Sequence, residues 1–206
     1  MLKIWGRNNS INVQKAMWTV AELGLAHERY DVGGPFGGLD EPSFLAMNPN
    51  GRIPVIDDDG VIVWESNAIV RYLCAKHSDG ALWPSDPAAR SQADRWMDWQ
   101  ASSLIADLVT VFLGLIRTPE AERNMPVINA ATGRLNGAME MLDRHLGSNE
   151  WVAGGKMTMG DIPVGALVYR WLNMPIERPD LAHLGAYHER LAGRPAFAEH
   201  VMIPLS

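Results

Sequence analysis

The hydrophobic periodicity of this chain changes once along its length, and that change limits the folds the chain can adopt. Residues 1–77 alternate short stretches of strand periodicity with stretches of helical periodicity. A segment with two prolines, one glycine and two aspartates follows, and beyond it apolar residues recur only at helical spacing. We therefore predict an α/β domain over residues 1–78, a linker at residues 79–87 and an all-α domain over residues 88–206.

The first domain is predicted to contain two strands around a helix, followed by a hairpin and a second long helix. In chain order, the predicted elements are a strand at Leu2–Trp5, a helix with Val13, Met17 and Val20 on its apolar face, a strand at His27–Val32, a short helix at Glu41–Ala46, a hairpin at Val55–Trp64 and a helix at Ser66–His77. Pro54 stands directly ahead of the third strand, where it removes no ladder hydrogen bond. This order is the pattern of a thioredoxin-like domain.

The second domain shows helical periodicity alone. Its predicted helices span residues 88–116, 127–146, 162–171 and 181–191, and a short terminal helix begins at Pro195. Thr158 and Asp161 stand ahead of the third of these helices as an S/T-x-x-D capping pair, for which we expect a role in folding.

Composition and charge exclude several classes of protein. With 47% hydrophobic and 20% charged residues, the 206-residue chain is neither disordered nor collagen-like. Its net charge of -6 and its lack of a Lys/Arg cluster argue against a nucleic-acid or anionic-membrane partner. The apolar stretch Leu104–Ile116 is shorter than the roughly 20 residues of a membrane span, and the N-terminus lacks the apolar core of a signal peptide. We expect a cytoplasmic protein without a membrane-spanning helix.

Cys74 is the single cysteine, so the sequence offers no internal disulfide, no cysteine zinc site and no CxxC redox pair. It falls on the apolar face of the predicted helix at Ser66–His77, where a free cysteine behaves as a small apolar side chain. The histidines are scattered, and the acidic turn Asp57–Asp59 lacks the rest of a calcium loop. We predict no metal site.

Three short segments carry a resemblance to a known family. They are Arg7–Val13 (RNNSINV), Asn48–Ile56 (NPNGRIPVI) and Glu65–Ile69 (ESNAI). In order and spacing they resemble the glutathione-binding half of soluble glutathione transferases, and Thr158–Asp161 resembles the N-capping box of the helical half of that family. The resemblance covers nearly the whole chain. It implies a thioredoxin-like domain followed by a helical domain, in an enzyme that activates the glutathione thiol as a thiolate for attack on a small electrophile.

The resemblance places glutathione along the last two segments. It implies a cis Ile53-Pro54 peptide bond, which turns the Ile53 N–H and C=O groups outward, where they can pair with an extended peptide like an added strand. Glu65 and Ser66 stand at a helix start, where unpaired N–H groups favour an anion. There Ser66 can hold the γ-glutamyl carboxylate and Glu65 its ammonium, or the two can serve only as a helix cap and a first-turn acid. By resemblance, Arg52 and Ile53 lie along the cysteinyl and glycyl part.

The group that activates the thiol belongs, by the same resemblance, to the loop between the first strand and the first helix. A free thiol with a pKa near 8.5 is only a few per cent ionised at pH 7, so the protein must supply donors that stabilise the thiolate. Ser10, Asn9 and Asn12 crowd the start of that helix, where the helix dipole assists. Ser10 is the first choice, and Asn9 and Asn12 follow. Arg7 can add a positive charge, and Ser10 can alternatively be a plain helix cap.

The same loop contains neither tyrosine nor cysteine. This argues against the tyrosine-activated branch of the family and against branches that form a mixed disulfide with glutathione. What remains resembles the serine- or asparagine-activated, theta-like bacterial branches. The resemblance also implies a homodimer, with the first domain of one subunit against the long helix of the other.

Two other functions are consistent with these segments. One is a non-catalytic binding module that uses the transferase fold for association or ligand storage. The other is a glutathione-dependent disulfide or peroxide reductase, which needs two glutathiones per site because the loop lacks a cysteine. In the helical domain, apolar side chains can either fill the core or line a site for an apolar electrophile, namely those of Trp96, Trp99, Phe112 and Trp171.

Overall fold

The computed structural model of the protein describes all 206 residues. Its sheet has the strand order β2-β1-β3-β4, with strands β1 (Leu2–Trp5), β2 (His27–Tyr30), β3 (Val55–Asp58) and β4 (Val61–Trp64). β1 runs parallel to β2 and antiparallel to β3, and β3 forms the predicted hairpin with β4. β2 ends at Tyr30, two residues earlier than predicted, although the Arg7 N–H still donates a hydrogen bond of 3.2 Å to the Val32 carbonyl.

Three helices complete the first domain, and they are α1 (Ile11–Glu22), α2 (Pro42–Met47) and α3 (Ser66–His77). α1 and α3 pack together on the sheet, and Ile4 and Ile56, which pair across β1 and β3, lie under them in a small buried core. This is the thioredoxin-like arrangement predicted from the sequence. A 3₁₀ turn at Gly34–Phe36 lies in the connection between β2 and α2.

The second domain is helical, as predicted, apart from one isolated bridge between Trp151 and Gly154. Its helices are α4 (Pro87–Trp99), α5 (Ile105–Phe112), α6 (Met125–Leu146), α7 (Asp161–Asn173), α8 (Ala182–Ala192) and α9 (Pro195–His200). The proposed linker at residues 79–87 lies between α3 and α4. Its last residue, Pro87, occupies the first turn of α4, where a proline costs no hydrogen bond.

α4 and α5 belong to one continuous helix, Pro87–Arg117, in which π-helical turns occur at Gln100–Leu104 and Leu113–Arg117. The helix has 31 residues and a mean hydropathy of 1.6 in its most apolar window, so by length and composition alone it can cross a membrane. The apolar stretch Leu104–Ile116 is only part of this helix, so the expectation that the apolar segment is too short to span a membrane is wrong. Several of its side chains nevertheless lie in the core of the helical domain, among them Met97, Leu108 and Phe112.

Residues of the first domain also belong to the hydrophobic core of the helical domain. Trp18 of α1 is fully buried in the same cluster as the helical domain, with its ring 4.8 Å from that of Phe197 in an edge-to-face contact. Gly165 of α7 leaves room for the Trp18 ring, since a Cβ at position 165 would lie only 2.9 Å from that ring. The position of α1 is therefore determined by the helical domain as well as by the sheet.

A buried carboxylate organises the start of α7. Asp161 accepts hydrogen bonds from the backbone N–H groups of Thr158 (2.8 Å) and Val152 (3.0 Å) and from the Tyr187 hydroxyl (3.1 Å). Burial raises the pKa of this carboxyl to about 6, although the hydrogen bonds oppose that shift. The capping pair predicted from the sequence is thus part of a larger network that joins α7 to the loop before it and to α8.

We expect Asp161→Ala to lower the free energy of unfolding by about 3 kcal/mol, because two buried N–H groups lose their acceptor. Asp161→Asn keeps an acceptor oxygen at similar volume and should lower it less. Urea unfolding followed by circular dichroism measures both variants. An alanine variant within about 0.5 kcal/mol of the wild type would show that the network contributes little.

Candidate functional site

The Ile53-Pro54 peptide bond is cis, as the resemblance implied. It stands at the entrance of β3, where Pro54 is buried and Ile53 is half-buried. The Asn48 side chain donates a hydrogen bond of 2.8 Å to the Arg52 carbonyl and so holds the preceding turn in place. The Arg52 side chain is exposed and makes no hydrogen bond within the protein, so its predicted contact with glutathione stays a prediction.

α3 begins at Ser66, as predicted, but its N-cap residue is not the predicted one. Glu65 is the N-cap residue, with a φ of 67°, and Ser66 is the first helical residue, so the interpretation of Ser66 as a plain N-cap is wrong. The Glu65 side chain makes no capping bond and is exposed. A positive φ at a non-glycine residue is costly and is found mostly where function requires it. The exposed Glu65 side chain therefore remains free to contact a ligand.

The start of α1 contains the three residues predicted to activate the thiol. Ser10 is the N-cap residue, as its alternative interpretation required, but its side chain makes no capping hydrogen bond. Asn9 is engaged, because Arg7 donates to its side-chain oxygen and its amide donates to the Ser206 hydroxyl over 2.7 Å. Asn12 accepts a hydrogen bond of 3.2 Å from the Ser66 hydroxyl. Ser10 therefore has the one side chain of the three without an internal partner.

The structure brings most of the predicted residues together. The bond between Ser66 and Asn12 joins the first turns of α3 and α1, so two helix N-termini converge. A Cβ at Gly6 would lie 2.5 Å from the Val13 side chain and 3.3 Å from Ile53 Cβ, which shows how closely the β1–α1 loop approaches Ile53. Unpaired N–H groups of two helices and the outward-facing backbone at Ile53 thus border one surface.

A large hollow of the surface lies away from the predicted glutathione residues. A cavity of about 540 Å³ is lined by Leu115, Ile128 and Pro175 among others, and contains none of the predicted glutathione residues. An extended peptide that pairs with a backbone edge needs an open surface rather than an enclosed cavity. Trp96, Phe112 and Trp171 are buried in the core, whereas Trp99 is only partly buried. Trp96 and Trp99 also line an open hollow of about 360 Å³, so for these two residues the interpretation as a site for an apolar electrophile stays open.

A buried lysine lies beneath the first turn of α3. The Lys15 ammonium of α1 donates hydrogen bonds to the Asn67 side chain (3.1 Å) and to the Gln100 side chain (3.2 Å), and the residue is only 2% exposed. Asn67 in turn donates to the Met97 carbonyl over 2.9 Å. Burial lowers the pKa of the Lys15 ammonium to about 7, and the negative charge of Glu65 opposes this shift. The Lys15 side chain therefore joins α1, α3 and the long helix directly below the predicted carboxylate site.

We expect Lys15→Met to change how stability depends on pH. The pKa of Lys15 is about 7 in the folded protein and near 10.5 in the unfolded chain, so the unfolded state binds more protons between these values. The wild type should therefore gain up to about 1.4 kcal/mol per pH unit relative to the variant as the pH rises from 7 to 9. Urea unfolding at four pH values from 6 to 9 measures this difference, with exposed Lys156→Met as the control. Parallel curves for the wild type and Lys15→Met would contradict the expectation.

Sequence reasoning missed Lys15, Arg117 and Arg170. Arg170 of α7 is 5% exposed and donates to the Asn9 carbonyl over 2.8 Å, while Arg117 donates to the Ser206 carbonyl over 2.8 Å. For two of these three residues, the sequence itself contains a signal that they are buried. Lys15 and Arg170 are single cations inside helical stretches that are otherwise largely apolar, and a charged residue in such a position is buried only when it has partners.

Comparisons with known proteins agree with this geometry. The family model for the glutathione S-transferase N-terminal domain matches residues 9–76. Glutathione S-transferase GstB of Escherichia coli is 39% identical over 208 residues, which span 100% of both chains. Probable elongation factor 1-gamma 2 of Arabidopsis thaliana is 33% identical over 121 residues, which span 59% of this chain and 29% of that protein.

A solved structure resembles the whole molecule. The theta class glutathione S-transferase from Xanthomonas axonopodis pv. citri, crystallised with glutathione bound, superposes with a TM-score of 0.96 at 46% identity, covering 100% of this chain and 99% of that chain. Sequence identity over the full length, the two-part fold and the matching N-terminal family model lead to one conclusion. This chain belongs to the glutathione S-transferase family and shares its transferase function.

Proposed function

We propose that glutathione binds across the surface formed by Ile53, Ser66 and Ser10, and that Ser10 stabilises its thiolate. The observation that carries this proposal is the convergence of the α1 and α3 N-termini beside the cis peptide bond, joined by the hydrogen bond between Ser66 and Asn12. The glutathione bound to the Xanthomonas axonopodis enzyme supports the choice of ligand.

The two ends of the ligand find groups of opposite charge. The γ-glutamyl carboxylate is held by the first N–H groups of α3, including that of Ser66, while exposed Glu65 receives the neighbouring ammonium. The Ile53 N–H and C=O groups pair with the cysteinyl backbone as a short added strand, because the cis bond to Pro54 leaves these two groups facing outward. Arg52 is exposed beside the same turn and can approach the glycyl end.

At the N-terminus of α1, hydrogen-bond donors rather than a general base stabilise the thiolate. The Ser10 hydroxyl has no internal partner, so it is available to donate to sulfur. The first N–H groups of α1 and the positive end of its dipole act in the same direction. Asn9 and Asn12 are engaged in other hydrogen bonds and contribute mainly by positioning the loop. The thiolate then attacks the electrophilic carbon, a carbon–sulfur bond forms and the leaving group departs with the bonding electron pair.

A second candidate is a non-catalytic module with the same fold. The partial similarity to an elongation factor subunit is the observation that favours it. Such a module does not need an unengaged hydroxyl at Ser10 or a strained backbone at Glu65, and both are present here.

A third candidate, disulfide or peroxide reduction, requires a second glutathione, because burial raises the pKa of the Cys74 thiol to about 12 and that thiol is inaccessible.

We expect the thiol pKa of bound glutathione to lie below that of free glutathione in the wild type, and to rise by about one to two units in Ser10→Ala. The reason is that a hydrogen bond to a charged acceptor is worth about 1.5–3 kcal/mol, and one pKa unit corresponds to about 1.4 kcal/mol. Thiolate absorbance near 240 nm, followed across pH, measures the pKa.

Three comparisons complete this test. Because Ser10 makes no capping bond, its alanine variant should unfold within about 0.5 kcal/mol of the wild type, so a lost pKa shift reports on chemistry. Asn9→Ala and Asn12→Ala should move the thiol pKa less. Bound glutathione without any pKa shift in the wild type would favour the non-catalytic module, and an unchanged pKa in Ser10→Ala would assign activation to another group.

We also propose a homodimer, in which the first domain of one subunit packs against the long helix of the other. Exposed apolar side chains occur on both surfaces, with Ile62 and Trp64 on the edge strand β4 and Val109 and Leu113 on the helix. An edge strand with exposed apolar residues is unusual in a monomer, because it invites association.

A single buried free cysteine suits a reducing compartment, and we propose the cytoplasm.

We expect Ile62→Glu to shift the protein from dimer to monomer, since it places a charge in the proposed apolar interface. Light scattering after size-exclusion chromatography measures the mass, and the control is Met202→Glu, a similarly exposed apolar residue in the C-terminal segment. A monomeric wild type, or an Ile62→Glu variant that stays dimeric at low micromolar concentration, would contradict this interface.

A further inference from the structure

Lys15 of α1 is a buried cation beneath the first turn of α3, and its hydrogen bonds end on neutral oxygens. The ammonium donates to the side-chain oxygens of Asn67, over 3.1 Å, and of Gln100, over 3.2 Å. Lys15 is 2% exposed and Gln100 is fully buried. Two amide oxygens replace only part of the hydration that an ammonium loses on burial. The folded protein therefore keeps this charge at a cost in stability.

The contacts around Lys15 differ from those of a network that serves stability alone. The Nε2 group of Gln100 is inaccessible to solvent and has no hydrogen-bond partner, although buried polar groups are nearly always paired. Gln100 also begins a π-helical turn of the long helix, and such turns occur frequently at functional sites. A methionine, which has a similar length, could fill the space of Lys15 without the cost of burying a charge.

The charged groups around Lys15 leave the start of α3 positive. The negative charge of Glu65 acts on Lys15, but the Glu65 side chain is exposed and makes no hydrogen bond with it. The long helix carries Asp94 and Asp98, and both carboxylates are paired with Arg71 of α3. No side chain caps the N-terminus of α3, where the positive end of the helix dipole lies. The cation and the helix dipole thus favour an anion at the same place.

We propose that Lys15 is a positioning residue for glutathione, and that its charge raises the affinity of the α3 N-terminus for the γ-glutamyl carboxylate. The inference rests on the proposed binding of that carboxylate at the start of α3. In the complex, Glu65 is paired with the ammonium of the ligand, and the carboxylate compensates the charge of Lys15. At an effective dielectric constant of about 20, unit charges roughly 10 Å apart change Kd by a factor on the order of ten.

Binding of the carboxylate and protonation of Lys15 are linked, because each stabilises the other. Burial lowers the pKa of Lys15 to about 7, and the charge of Glu65 opposes this shift. About nine-tenths of the Lys15 side chains are therefore charged at pH 6. An anion at the start of α3 should raise the pKa of Lys15, and the protonated protein should bind that anion more tightly by the same factor.

The experiment measures Kd by calorimetry at pH 6 for S-methylglutathione and for its analogue with a γ-aminobutyryl group in place of the γ-glutamyl group. The two ligands differ by one carboxylate, and methylation of the sulfur removes thiol activation at Ser10 from the measurement. We expect Lys15→Met to raise Kd about tenfold for S-methylglutathione and less than about twofold for the analogue. The control is exposed Lys156→Met, for which both Kd values should be unchanged.

A second measurement uses the wild type, so it does not depend on the folding of a variant. Carbon-13 NMR of the lysine side chains follows the protonation of Lys15 across pH. The pKa of Lys15 should rise by about one unit when S-methylglutathione is saturating, and by clearly less with the analogue that lacks the carboxylate. A lysine with a purely structural role would show the same pKa with both ligands.

The outcomes separate this inference from the proposed function. A loss of affinity confined to S-methylglutathione, together with a raised pKa of Lys15, supports the positioning role. No loss in Lys15→Met, an equal loss for both ligands, or a pKa that does not respond to S-methylglutathione would overturn that role and leave the proposed glutathione site standing. If S-methylglutathione at millimolar concentration does not bind the wild type, the proposed site fails and this inference fails with it.

Discussion

The burial of α1 between the sheet and the helical domain constrains the rest of the molecule. Val13 and Val20 lie in the core over the sheet, while Trp18 lies in the core of the helical domain. Every residue from Val13 to Val20 is buried, so the helix cannot rotate or slide without exposing apolar surface or stranding a polar group. The N-terminus of α1, where Ser10 stands, is consequently positioned by both domains, and the geometry around the thiol depends on how the domains pack.

The sequence predicts the elements of this fold well because each one has a clear periodicity and a clear end. The hairpin at Val55–Trp64 and the helix at Ser66–His77 were found at the predicted places, since an Asp-Gly turn and an apolar stripe are local signals. The N-cap at Glu65 was missed, because a positive φ at a glutamate contradicts local preference. The π-helical turns near Gln100 were missed for a related reason, as tertiary packing imposes them and no local pattern marks them.

The buried polar residues were harder to predict than the apolar ones. Lys15 and Arg170 stand in helices whose other side chains fill the core, and the sequence alone does not show which oxygens receive their hydrogen bonds. Those oxygens come from residues between 52 and 161 positions away along the chain. Removing one partner from such a contact strands a buried group, so these contacts specify one arrangement of the domains more strictly than apolar packing does.

The distribution of charge explains how an acidic chain can serve an anionic ligand. The net charge is -6, yet the surface around Ser10 and Ser66 combines two helix N-termini with Lys15 beneath one and with Arg7 and Arg170 beside the other. Interactions beyond about 10 Å are largely screened at physiological salt, so the acidic groups elsewhere affect the site little. The local charges and the two helix N-termini act on the thiolate at close range, so the position of α1 between the two domains also determines the electrostatic environment of the thiol.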